Sequence, residues 1–263
     1  MSLRILITND DGVDAPGIVL MEEIARTLTD DVWIVAPDGN QSGASHRFTF
    51  GRELELVEQR SHVFAIAGGS PADCVVAGMT HVLGDHPADI VLSGINNGQN
   101  MGDIINCSGT AAGAREGAMQ GALGIAMSQG VDYEQKGALD WAVSRRYAAQ
   151  LIDGIRHQAA RSGQGGPSWG VWYNVNFPFC APDDVSGIRV VPAQRFHRSP
   201  MKHYASDNPG KFFIAIPETP KPLDHGNDFF QLMHKNAITV TPVSLTLSDA
   251  DLAAEMDGKL TLS

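Results

Sequence analysis

Two adjacent carboxylates, Asp10 and Asp11, stand in the run Asn9-Asp10-Asp11-Gly12 directly behind the apolar stretch Leu3 to Thr8. Like charges side by side push one another's pKa apart, and a hard divalent cation that accepts carboxylate oxygens is the commonest remedy. An Asp-rich turn that caps the next helix is the plainer reading of the same residues. A second loop, Pro37-Asp38-Gly39-Asn40-Gln41-Ser42-Gly43-Ala44-Ser45, follows Val32 to Ala36 and offers hydroxyls and amides, although alone it fits a surface loop equally well. A third, Gly94 to Gly102, follows Asp89 to Ser93 and is rich in side-chain amides, with Asn96 and Asn97 at its start. Asn presents a neutral oxygen to a cation or two N–H donors to an anion. Close behind, Ser108-Gly109-Thr110 opens a small-residue segment, and the free N–H groups of a helix N-terminus bind phosphate oxygens. Ser108 also suits an N-cap, which is compatible with a phosphate site.

These pieces act together only if the runs before them are neighbouring strands. Leu3 to Thr8, Val32 to Ala36, Val63 to Ala67, Asp89 to Ser93 and Gly124 to Ser128 alternate with helix-like segments, the pattern of a parallel sheet covered by helices. Ile18, Met21, Ala25 and Leu28 recur at helical spacing behind Pro16, a good first-turn residue. Further helices are expected after Pro71, after Gly109, and from about Tyr133 to Gln158. Ser162 to Ser168 reads as a linker, and Val171 to Val175, Ile188 to Val191, Phe212 to Ile216 and Ala237 to Thr241 read as strands. Arg195 to Gly210 is polar and irregular, suited to an arm or a flap, and Ser248 would cap a short helix to Glu255. The expected architecture is α/β: a Rossmann-like, mostly parallel sheet flanked by helices, with a C-terminal β-rich extension. The catalytic core would span residues 1–165, with strands to about 192 completing it, and the extension 193–263.

Composition narrows the partners. The 263 residues are 43% hydrophobic and 19% charged, a globular composition, and 19 Lys plus Arg against 30 Asp plus Glu leave a formal net charge of −11. A field of that sign repels nucleic-acid backbones and anionic lipid, so neither a nucleic-acid coat nor a membrane surface is an expected partner. No run approaches the roughly 18 apolar residues of a membrane span. Cys74, Cys107 and Cys180 are scattered and contain no CxxC pair, which fits free thiols in a reducing, cytoplasmic setting. Walker A, G-x-G-x-x-G, H-E-x-x-H and G-x-S-x-G motifs are missing, which disfavours NTPase, dinucleotide oxidoreductase, zincin and hydrolase-elbow chemistry. The nine histidines show no metal-ligand spacing, and His46 and His81 read as surface or capping residues.

In order along the chain, Asn9-Asp10-Asp11-Gly12 with Ala15-Pro16-Gly17, Ala36-Pro37-Asp38 leading to Ser42-Gly43-Ala44-Ser45, Gly69 to Cys74, Ser93-Gly94-Ile95-Asn96 and Ser108-Gly109-Thr110 resemble the SurE family of survival-protein nucleotidases. The likeness is dense over the first 130 residues and looser to Val240-Thr241-Pro242. It implies a metal-dependent phosphatase, a 5′-nucleotidase that removes phosphate from nucleoside 5′- and 3′-monophosphates. It also implies a homodimer or homotetramer whose C-terminal β extension is exchanged between subunits. Carried over by position, Asp10, Asp11, Ser42 and Asn96 would hold one divalent cation (Mg²⁺ or Mn²⁺, with Ca²⁺ as a bound ion), and Asp10 and Asp11 would be catalytic. Asn9, Gly43, Asn96, Ser108, Gly109 and Thr110 would bind substrate phosphate. Cys107, Ala111 and Asn97 depart from the family pattern without removing any of these. A non-catalytic metal- or nucleotide-binding regulator would use the same residues.

Overall fold

Ile5, Leu6 and Ile7 point alternately to the two sides of one strand and all three are fully buried, so that strand is covered on both faces. The computed structural model describes residues 2–132, 139–161, 170–199, 201–215, 223–257 and 259. Its elements run β1 (Arg4–Thr8), α1 (Pro16–Arg26), β2 (Asp31–Pro37), β3 (Leu56–Arg60), β4 (Val63–Ile66), α2 (Pro71–Ala77), β5 (Ile90–Asn97), α3 (Gly109–Met119), β6 (Leu123–Gln129), α4 (Ala142–Arg161), β7 (Val171–Phe177), β8 (Ile188–Val190), β9 (Lys202–Ala205), β10 (Phe212–Ala215), α5 (Asp228–Lys235), β11 (Ile238–Ser244) and α6 (Ala250–Met256).

Nine strands form one sheet in the order β3-β4-β2-β1-β5-β6-β7-β11-β8, parallel except where β3 meets β4 and β11 meets β7. Strand order reverses between β1 and β5, and in open α/β sheets the crevice outside the carboxyl ends at such a reversal is where ligands bind. The runs ending at Thr8 and at Asn97 therefore deliver their following residues to one place.

One face of the sheet packs under α1 and α4 through Ile5, Ile7, Ile18, Met21, Ile125, Ile152, Val175 and Val240. The other face carries Leu6, Val35 and Val91 toward α2, and Ala126 and Trp172 toward α3. The α3 contact is unusually close. Gly109, Gly113 and Gly117 recur every four residues along its sheet side, where a Cβ on Gly113 would lie 2.6 Å from Ser93 Oγ and one on Gly117 would lie 2.4 Å from Val91 Cβ. Pro16 opens α1 as expected, and α2 begins with a reciprocal pair in which Ser70 accepts from the Asp73 N–H while the Asp73 carboxylate accepts from the Ser70 N–H.

Several expectations are corrected. The long helix starts at Ala142, behind a turn in which Asp140 Oδ1 accepts from the Ala142 N–H (2.9 Å), and reaches Arg161; residues 133–138 and the linker 162–168 lie outside the described residues. The tail helix is capped by Asp249, not Ser248, through the Leu252 N–H (2.9 Å). Arg195 to Gly210 is not wholly irregular, because β9 lies inside it and pairs with β10 as an exposed hairpin, and a hairpin with neither face buried has no apolar alternation to read. The strand β3 and the helix α5 had no expectation; α5 buries only Phe229 and Leu232 among its apolar residues. After the hairpin the chain returns to the main sheet, where β11 sits between β7 and β8.

Two glycine substitutions separate packing from backbone propensity. At Gly124 a Cβ would lie 2.0 Å from the Ala114 carbonyl oxygen, so Gly124→Ala must push α3 off the sheet and should cost about 1–3 kcal/mol in urea unfolding. Gly154, on the exposed side of α4, has open space around it, and Gly154→Ala should stabilise by about 0.5–1 kcal/mol in the same measurement.

Candidate active site

The turn after β1 is braced by its own first residue. Asn9 is fully buried, its Nδ2 donates to the Gly12 carbonyl (2.9 Å) and its Oδ1 accepts from the Gly12 N–H (3.2 Å). Gly12 has φ +112°, and a Cβ there would meet Gly39 Cα at 3.2 Å, so the turn lies directly on the loop after β2. With its carboxamide engaged this way, Asn9 shapes the turn that presents the two carboxylates.

Asp10 points at the first turn of α3. Thr110 Oγ1 donates to Asp10 Oδ1 (2.6 Å), and a Cβ on Gly109 would lie 2.8 Å from both Asp10 Cβ and Oδ2, so only glycine at 109 leaves room for this carboxylate. The residue is 5% exposed. Burial raises its pKa to about 6, with the Thr110 hydroxyl opposing the rise and the Asp11 charge adding to it. Asp11 is half-buried; burial raises its pKa also, while the Asn97 N–H approaching Oδ2 (3.3 Å) works the other way. No cationic side chain among the described residues offsets either charge.

Asn96 is the next-to-last residue of β5, its Nδ2 donating to the Gly98 carbonyl (2.7 Å), which leaves its amide oxygen without a partner among the described residues. The loop carrying Ser42 and Gly43 is pinned at both ends: the Gln41 N–H donates to the Asp10 carbonyl (2.7 Å) and Ser45 Oγ donates to the Asn106 carbonyl (2.7 Å). Ser42 and Gly43 themselves are exposed. Ser108 is the N-cap of α3, its Oγ accepting from the Ala111 N–H (3.0 Å), and Thr110 commits its hydroxyl to Asp10. The Thr110 N–H also donates to the Asp10 carboxylate, so what the turn Ser108-Gly109-Thr110 offers an anion is the Gly109 N–H and the positive end of the helix dipole.

Sequence reasoning missed the clamp behind this loop. His46 lies between Arg115, whose Nε donates to His46 Nδ1 (2.6 Å), and buried Glu116, whose Oε2 lies 2.9 Å from His46 Nε2. Arg115 and Glu116 belong to α3, so the loop and the helix N-terminus are tied to one body. Asp73 adds a second tie by accepting from the Thr49 N–H and Oγ1, both at 2.9 Å; burial would raise this carboxyl, but the donors of Ser70 and Thr49 outweigh burial and hold it below the usual range. Asp73 was visible in sequence as part of the Gly69 to Cys74 motif, whereas nothing marked His46 apart from other histidines.

The donors expected from the sequence are two carboxylates, one amide oxygen and one hydroxyl, all hard oxygen ligands of the kind Mg²⁺, Mn²⁺ and Ca²⁺ accept. Among the described residues no group of three or more His, Cys, Asp or Glu is placed to hold a metal. An acidic pair with no cationic partner, one of them pushed to about 6, fits a dication.

The Asp10 shift has a definite sign. Its folded-state pKa lies above the unfolded value, so stability is highest at low pH and is lost as pH rises from about 4 to about 6, on the order of 2–3 kcal/mol in total without a cation. Asp10→Asn removes that loss. In chelator, its Tm advantage over the parent should be small at pH 4 and grow to a plateau above pH 6, and added Mg²⁺ or Mn²⁺ should raise the parent's Tm but not the variant's. A Tm difference independent of pH would show that Asp10 is not strained by its own charge.

Comparisons with known proteins bear on the family and the fold. The family model described as survival protein SurE matches residues 5–200. A curated 5′-nucleotidase SurE from Methylobacterium radiotolerans is 41% identical over 251 residues, covering 94% of this chain and 95% of that protein. One from Brucella canis is 38% identical over 261 residues, covering 98% of each. The crystal structure of the SurE protein from Aquifex aeolicus superposes with a TM-score of 0.81 at 28% identity, covering 96% of this chain and 98% of that one. With its acidic pair, its amide loop and its helix N-terminus gathered at one switch point, this chain belongs to the survival protein SurE family.

Proposed function

We propose that the protein is a phosphatase that hydrolyses nucleoside 5′-monophosphates, and nucleoside 3′-monophosphates as well, to nucleoside and phosphate. The observation that carries this reading is the packing of the Asp10 carboxylate against the first turn of α3 with Asp11 alongside, which brings acidic ligands and an anion-binding helix N-terminus to one crevice. The relatives named 5′-nucleotidase support the substrate class.

Asp10, Asp11, Ser42 and Asn96 would hold one divalent cation per subunit, Mg²⁺ or Mn²⁺, or Ca²⁺ as a bound ion. When bound, the cation neutralises phosphate charge and makes water a better nucleophile. The backbone N–H of Gly109, at the positive end of the α3 dipole, donates to a phosphate oxygen, and this positioning with charge neutralisation is most of what phosphoryl transfer requires. Asp11 is the carboxylate open to the crevice, so it takes the proton of the attacking water, while Asp10, held by Thr110, keeps the geometry fixed. Asn97, through its N–H, orients Asp11.

The assembly reading rests on apolar surface. Phe212, Phe213 and Ile214 on the β9–β10 hairpin are 61%, 64% and 68% exposed, and Ile188 and Val190 lie exposed on the edge strand β8. A second copy covering these residues, with the β9–β10 hairpin of the extension exchanged, makes a homodimer or homotetramer. Among the described residues Cys74 is buried, Cys180 half-buried and Cys107 exposed, all unpaired, which suits a cytoplasmic setting. No helix among the described residues is long and apolar enough to cross a membrane.

Phosphate release should be measured on nucleoside 5′- and 3′-monophosphates with chelator, Mg²⁺ and Mn²⁺. The parent should turn over only with added cation, and Asp11→Asn should lose at least about a hundredfold in kcat while keeping its Tm within a few degrees. No release with any cation from a folded sample would leave a binding protein. In light scattering the parent should have the mass of two or four chains, and Phe212→Ser with Phe213→Ser should shift it toward one.

A further inference from the structure

Six side-chain polar atoms among the described residues are buried without a hydrogen-bond partner, and four of them belong to two neighbouring strands: Trp172 Nε1 and Asn174 Oδ1 on β7, Thr239 Oγ1 and Thr241 Oγ1 on β11. Register puts them on one face. Asn174 pairs with Thr241, Asn176 with Thr239 and Trp172 with Val243, and side chains two apart on a strand share a side. Val175, Phe177, Ile238 and Val240 take the opposite side, under α1 and α4. The four atoms therefore face the α3 side, away from the aliphatic core.

That face is roofed by the segment leading into α3. Asn174 Nδ2 and Asn176 Nδ2 donate to the Asn100 carbonyl (2.8 and 2.9 Å), Asn176 Oδ1 accepts from the Asn100 N–H (2.8 Å), and Asn100 Nδ2 donates to Ser128 Oγ (2.9 Å). The bond to Asn100 also fixes which way the Asn174 amide is turned, so rotating the amide would set its oxygen against a carbonyl and cure nothing. Its oxygen must find a donor elsewhere, and the described residues supply none.

We propose that the α3-side face of β7 and β11, under the roof at Asn100, binds a small cluster of ordered water molecules that hydrogen-bonds Trp172, Asn174, Thr239 and Thr241. The chemistry of the wall selects the occupant. An indole N–H only donates, an amide oxygen only accepts and the two hydroxyls do both, while neither strand carries an acid or a base on this face, so a neutral molecule able to donate and accept fits and an ion does not. All four residues are 0–2% exposed, which leaves water as the occupant small enough to be enclosed as the chain folds. A chain of this length ordinarily encloses about ten such waters, at roughly one per 27 residues, each bridging two to four polar groups. The consequence reaches the candidate active site, because Asn100 belongs to the loop whose Asn97 N–H meets Asp11, and the cluster stiffens the wall that grips Asn100.

The sign of a threonine-to-valine change decides the matter, since valine keeps the shape and removes only the hydroxyl. If water is bound, Thr239→Val and Thr241→Val each remove a partner from it and should lower Tm by about 2–4 °C. If the face is dry, the same changes relieve an unpaired buried hydroxyl and should raise Tm. A high-resolution crystal structure grown without polyols should show solvent peaks within hydrogen-bond distance of Asn174 Oδ1 and both hydroxyls, retained in Thr241→Ser. No density there, with a Tm unchanged or raised in the valine variants, would overturn the proposal. Neither readout uses phosphate release, so the result stands apart from the catalytic reading.

Discussion

The Asp10 carboxylate sits against the N-terminus of α3 with no counter-charge on any side chain among the described residues, and most of the architecture serves that contact. It requires α3 to come closer to the sheet than ordinary side chains permit. Gly109, Gly113 and Gly117 supply the space, each at a point where a Cβ would overlap Asp10, Ser93 or Val91. Ala126 and Ala114 are small for the same reason, and the facing Gly124 accepts a helix carbonyl where a side chain would stand. Close packing of this kind loses tolerance: a single methyl at the interface has nowhere to go.

Burying a carboxylate beside another carboxylate is unfavourable, and the fold offsets only part of that cost. Thr110 donates one hydrogen bond to Asp10, and the Asn97 N–H approaches Asp11. What remains is an electrostatic deficit aimed at the crevice between β1 and β5. A site whose residues conflict locally while the surrounding elements agree with one another is the usual mark of function in an otherwise consistent sequence. Asn96 lies near the end of β5, and Ser42 on a loop tied to Asp10 and to Asn106.

The loop after β2 shows how a flexible segment becomes part of a rigid site. It carries glycines and exposed polar residues, yet Gln41, Ser45, His46 and Thr49 each find a partner on another element. Two of those partners, Glu116 and the carbonyl of Asn106, lie on α3 or just before it. The helix thus sets the position of the acidic pair, of the hydroxyl loop and of its own N–H groups together. The polar stripe on β7 and β11 extends the same logic to the Asn96–Asn100 loop, which is held from below by side-chain amides instead of by aliphatic packing.

Much of this was legible in the residue order. Strand and helix alternation is a local property, because β-branched runs and spacings of three and four write burial directly into the sequence, so β1, β2, β5, β6 and α1 were readable there. The acidic pair, Asn96 and the α3 turn were legible too, since each follows a strand or opens a helix and strand ends at a switch point have a known use. The strand β9 and its pairing with β10, the first turn of α4 and the capping role of Asp249 were not, because exposed strands and helix ends leave no apolar period to detect. Nor did sequence reveal that Thr110 holds Asp10, that Asn9 braces its own turn, or that His46 lies between Arg115 and Glu116. Those contacts join residues as many as 100 positions apart, and only the folded sheet, by fixing which loops meet at the reversal between β1 and β5, decides them.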